Sequence, residues 1–94
     1  MTKADIVKQV NKNTGIEKAT VQNVLEAFME TVKDSLTRGN NVYLRGFGSF
    51  VVKKRAEKLA RNISRNTTVI IPEHFVPSFK PADSFVAQVK AEVK

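Results

Sequence analysis

The segment LRGFGSFVVKKRAEKLARNISR, residues 44–65, decides how the whole chain folds. It opens with two glycines interleaved with two phenylalanines, Gly46, Phe47, Gly48 and Phe50, and passes through valines into a basic run. Arg45, Lys53, Lys54, Arg55, Lys58, Arg61 and Arg65 are seven cations against one anion, Glu57. The formal net charge of the chain is +7, so nearly all of the excess sits in this one segment. Charge concentrated in one place is presented to a polyanion.

Working outward from it, 94 residues make a single domain,. A chain of this length buries only about 60–65% of the surface its unfolded form exposes. It has no cysteine, so neither a disulfide nor a thiolate-bound metal compensates,. A second copy of the chain is another way to complete the core. The lack of cysteine fits a reducing cytosol. No apolar run is long enough for a signal peptide or a membrane span, and no membrane partner is expected,.

Residues 1–40 read as helical. Thr2 and Asp5 have the spacing of a capping box, Ile6, Val7 and Val10 make a narrow apolar stripe, and Asn13-Thr14-Gly15 is a stop,. Lys3, Lys8 and Lys12 lie on the polar side, where a solvated face is the plain alternative to a binding role,. From about Lys18 to Arg38, Val21, Val24, Leu25, Phe28, Met29, Val32 and Leu36 recur at three- and four-residue steps,. Gly39 ends this long helix,. Its stripe needs a sheet, a partner helix or both to cover it.

Residues 41–80 read as sheet and arm. Residues 41–45 alternate as a strand with Val42 and Leu44 on one face, and residues 46–48 turn the chain back,. A longer strand is expected over residues 49–58, with Phe50 and Val52 on one face and Lys53 and Arg55 on the other,. Residues 56–60 suit a helix on propensity alone, but a strand leaving the body needs no apolar face, and the strand is preferred. Residues 67–71 form a third strand closed by Pro72,. The expected result is a two-stranded ribbon, an arm of about residues 53–72 with its tip near 62–66. His74 falls in a polar loop, Val76-Pro77-Ser78-Phe79 is a short extended piece, and residues 81–94 form a last helix with Pro81 in its first turn,.

Catalysis finds little support. The lone histidine, His74, has no second histidine or cysteine with which to build a metal site,. Gly46-Phe47-Gly48 lacks the phosphate-loop pattern and joins two strands, so it is a tight turn whose exposed amides could approach a phosphate,. No cofactor, metal or small-molecule substrate is expected. The basic ribbon remains. Lysine and arginine neutralise phosphates, two-stranded ribbons enter DNA grooves, and minor-groove binders combine arginine and asparagine with an apolar wedge. Ile63, between Arg61-Asn62 and Ser64-Arg65, fits such a wedge; folding back on Leu59 is its alternative.

Over its whole length the chain resembles the bacterial HU/IHF DNA-bending proteins. Gly46-Phe47-Gly48-Ser49-Phe50, Arg61-Asn62 and Val76-Pro77-Ser78-Phe79-Lys80-Pro81 carry the resemblance, in the order helix, long helix, strand pair, basic arm, strand, short helix. It implies an α+β fold: an intertwined dimer with a helical body, a short antiparallel sheet per chain and a protruding two-stranded β-ribbon arm. Val24, Phe28, Val32, Leu36, Leu44, Phe47, Phe50 and Phe79 are then the dimer core. DNA contacts fall on Lys53, Arg55, Lys58, Arg61, Asn62 and Lys80, joined by Lys3, Arg45, Gly46, Gly48, Ile63 and Arg65. The chain departs from the family pattern at Ile63 and Asn66, where proline and glycine are usual, and at Ala82-Asp83, where Gly-Lys is common.

The expected function is non-enzymatic binding and bending of double-stranded DNA, preferring bent, nicked or distorted duplex, by a homodimer in the bacterial cytoplasm and nucleoid. A sequence-specific IHF-like subunit paired with a related second subunit is the near alternative, which Arg45 ahead of the glycine motif favours. An RNA-binding or ribosome-associated protein is the distant one. Against it, the arm has no aromatic between Phe50 and Phe75 on which a base could stack,.

Overall fold

A computed structural model describes residues 1–62 and 67–93. The chain divides into two compact units, residues 1–35 and 36–94.

The first unit holds helix α1 (Lys3–Thr14) and most of helix α2 (Lys18–Thr37). Both halves of the expected capping box form. The Asp5 N–H donates to Thr2 Oγ1 at 3.3 Å, and the Thr2 N–H donates to the Asp5 carboxylate at 3.0 Å. That backbone hydrogen bond is the main reason the Asp5 carboxyl is held below its ordinary value,. Gly15 closes α1 in the left-handed region, φ 74°, with its N–H on the Asn11 carbonyl at 2.8 Å,. In the same region Gly39, φ 82°, follows α2 and donates to the Leu36 carbonyl. Val7, Val21 and Val32 are the buried hydrophobics among the described residues. Ile6, Val10, Val24, Leu25 and Phe28 line an apolar cleft instead.

The second unit contains β1 (Val42–Leu44), β2 (Gly48–Arg55), β3 (Lys58–Asn62), β4 (Thr67–Ile71), β5 (His74–Pro81) and α3 (Asp83–Glu92). They form two separate antiparallel sheets, one in the order β1-β2-β5 and the other a two-stranded ribbon, β3-β4. The anticipated strand over residues 49–58 is therefore two strands. Pairing of β2 with β5 ends at Arg55↔His74, and pairing of β3 with β4 begins at Lys58↔Ile71. Ala56 and Glu57 on one side and Pro72 and Glu73 on the other separate the two ladders, and Pro72 has no N–H to give,. Lys53 and Arg55, expected within the arm of about residues 53–72, pair inside the three-stranded sheet.

Three further expectations are corrected. His74 is the first residue of β5, and the short extended piece around Val76 is an eight-residue strand. Pro77 is accommodated because β5 is an edge strand, where a missing donor costs nothing,. Pro81 is the last residue of that strand, paired with Gly48, and α3 starts two residues later behind Ala82.

Two glycines explain the turn. Gly46 adopts φ 82°, which L side chains rarely take, and the Phe47 N–H closes the turn on the Leu44 carbonyl at 3.0 Å,. Gly48 is needed for space. A Cβ there would lie 2.6 Å from the Lys80 carbonyl oxygen and 2.6 Å from the Phe79 ring. Gly48→Ala should accordingly cost about 1–3 kcal/mol by overpacking, measured by denaturant unfolding. An unchanged midpoint would show that the Phe79 ring and the Lys80 carbonyl both give way freely. At the other end of β1, Asn41 accepts the Val52 N–H on its side-chain oxygen at 3.0 Å, and its side-chain amide donates to the Tyr43 hydroxyl at 3.2 Å.

Candidate nucleic-acid interface

Strand alternation sorts the three-stranded sheet into two chemically different faces. On one, Phe50 pairs with Phe79 and Val42, Gly48 with Pro81 and Leu44, and Val52 with Pro77. The Phe50 and Phe79 rings are 5.0 Å apart between centroids, Phe79 and Phe47 5.1 Å, and Phe47 stacks on Phe85 of α3 at 5.7 Å. This run of aromatic contacts, with the Ala82 N–H on the Phe47 carbonyl at 2.9 Å, anchors α3 to the sheet,.

The opposite face is polar and cationic. Its rows are Tyr43–Ser49–Lys80, Val51–Ser78, Lys53–Val76 and Arg55–His74. Lys53, Arg55 and Lys80, expected on DNA, are thus brought to one face from two strands. Tyr43 and Ser49 share this face and, carrying no charge, give no such signal in the sequence. Counting back in twos from Lys53 would have placed Ser49 there. Lys54 projects to the aromatic side, and its Nζ meets Glu73 Oε1 at 2.9 Å. His74 Nδ1 lies 2.9 Å from the Pro72 carbonyl oxygen. A carbonyl only accepts, so Nδ1 carries the proton.

In the ribbon, Lys58 pairs with Ile71 and Ala60 with Val69 on one face, while Leu59 pairs with Ile70 and Arg61 with Thr68 on the other. Lys58 and Arg61 therefore serve opposite sides. Asn62 pairs with Thr67 at the last described rung. Ile63 and Arg65 lie outside the described residues. Arg45 and Gly46 are exposed in the turn after β1. Gly48 is buried, and the position a Cβ would take lies against the Phe79 ring. Lys3, in the first unit, is hydrogen-bonded to Glu26 at 2.8 Å, and this bond is the main cause that lowers the Glu26 carboxyl below its ordinary value.

A cationic sheet face followed by a basic two-stranded ribbon points to a nucleic-acid binder, and comparison with known proteins agrees. The family described as bacterial DNA-binding protein matches residues 1–90. The chain belongs to this family. Its relatives include DNA-binding protein HU of Thermotoga maritima, 37% identical over 96% of this chain and all of that protein. The integration host factor alpha subunit of Anaeromyxobacter sp. (strain K) is 30% identical over 99% of this chain and 82% of that one. Among solved structures, an Anabaena HU–DNA cocrystal structure superimposes with a TM-score of 0.88 at 31% identity, covering both chains completely. The α+β family fold is present, and no helix among the described residues is long and apolar enough to cross a membrane.

Proposed function

We propose that this chain is a non-enzymatic, largely sequence-neutral binder and bender of double-stranded DNA that works as a dimer in the bacterial nucleoid. One observation carries this: Lys53, Arg55 and Lys80 line a single face of a sheet that leads into a ribbon bearing Lys58 and Arg61 on alternate sides. The sheet face grips phosphates, and the ribbon has the width of an element that enters a groove. Bending follows when grips on both sides of a kink hold the duplex to a curved surface. The Anabaena relative, a HU crystallised with DNA, supports the assignment.

Dimerisation is supported by the apolar surface that the single chain leaves uncovered. Val24 is 65% exposed, Phe28 40% and Phe47 45%, whereas Val32 is buried. Isolated, these side chains would be a liability; against a second copy they form a core. The integration host factor relatives keep a related second subunit in play as the partner.

The test is a gel shift across salt with linear, nicked and pre-bent duplexes beside single-stranded RNA. Tighter binding to the distorted duplexes is expected; tightest binding to the RNA would overturn the proposal. At the arm's tip, Ile63 is the proposed wedge. Ile63→Ala should weaken binding to nicked or bent duplex more than to linear duplex, because on linear duplex the wedge's contacts are offset by unstacking, which costs about a few kcal/mol per step. Equal losses on every substrate would remove Ile63 from that role.

A further inference from the structure

The ribbon carries an unexpected apolar step. Leu59 and Ile70 are directly opposite in register, so both side chains lie on one face,. They are 68% and 60% exposed, respectively. The next rung on the same face holds Arg61. The joint before the ribbon interrupts each strand by two residues, Ala56 with Glu57 and Pro72 with Glu73. On that face of the ribbon an aliphatic pair is followed by a cation.

That order matches one surface of a nucleic acid. The minor groove has anionic rims and a strongly negative floor, but its walls are the C–H faces of the sugars. We propose that Leu59 and Ile70 rest on these deoxyribose walls and make the ribbon select DNA over RNA. The inference rests on the ribbon entering the groove, as proposed above. In RNA the minor groove displays a 2′-hydroxyl on every sugar. An aliphatic pair pressed against that hydroxyl strips its water and returns no hydrogen bond, which penalises ribose.

The experiment uses the full-length protein and a duplex DNA in which ribonucleotides are scattered singly through one strand, beside the all-DNA duplex. Scattered substitution presents the hydroxyl without converting the helix to A-form. The native protein should bind the substituted duplex about tenfold more weakly. Replacing both residues by threonine, which keeps β-propensity and supplies hydroxyl partners, should shrink that ratio to within about threefold. Valine at both positions should restore it. Indifference of the native protein to the ribonucleotides, or an unchanged ratio in the threonine variant, overturns the assignment while leaving DNA binding intact. Failure to bind the all-DNA duplex in a salt-dependent way sinks the DNA-bending proposal itself.

Discussion

Affinity for linear duplex DNA should fall by about 10³–10⁵ between roughly 50 and 200 mM salt, if about 6–10 phosphates are neutralised in the complex. The cations are available in that number. Lys53, Arg55 and Lys80 share one sheet face, Lys58 and Arg61 flank the ribbon, and a second copy would double the set. Each neutralised phosphate releases condensed counterions, and the entropy gained depends on the logarithm of the bulk salt concentration. The slope of log affinity against log salt thus counts contacts. Lys53→Ala should reduce it by about one per chain. Lys54→Ala should leave it almost unchanged, because Lys54 sits on the aromatic side and is committed to Glu73. Titration by fluorescence anisotropy checks both variants. A flat salt dependence, or equal effects of the two lysines, would falsify the facial division of the sheet as the basis of binding.

Phe47→Ala should unfold the body and separate the copies together, at a cost of about 3–5 kcal/mol. Phe47 stacks on Phe85 of α3 and contacts Phe79 of β5, which in turn meets Phe50 of β2. Removing its ring breaks the connection between sheet and helix. Its exposure in the single chain makes the size of the loss informative. A ring nearly half in water supplies only part of the full burial energy, so a loss in the upper part of that range requires cover from another copy,. Phe28→Ala on α2 should behave the same way, through the other uncovered stripe. Denaturant unfolding at several protein concentrations, with sedimentation, reads both quantities. A folded monomeric variant would refute a shared core.

Local chemistry was easy to read along the chain. Thr2 with Asp5 and Gly15 marks both ends of α1, since caps depend on residues a few positions apart. Gly46-Phe47-Gly48 announced its turn because only glycine accepts the backbone that the turn requires. What escaped was nonlocal. Nothing between Ser49 and Lys58 signals a break, because the strand ends where its partner does, at His74 beside Pro72. The buried state of Gly48 is likewise imposed by Phe79, 31 positions along the chain. Pro81 was ambiguous for a plain reason: a residue with no N–H suits the end of an edge strand as well as the first turn of a helix. The cations of the candidate site were visible in the sequence, but their division between faces needed the register.

The Asn41 side chain has a bearing on how crowded such a chain can become. β1 is only three residues long, so beyond Phe50 the outer edge of β2 loses its neighbour. An uncovered strand edge invites a strand from another molecule, the first step of aggregation. Asn41 takes the Val52 N–H that an intruding strand would seize. A protein packed at high local density along a polymer meets its own copies constantly. Here one amide side chain already occupies the donor at Val52 that such a copy would pair with.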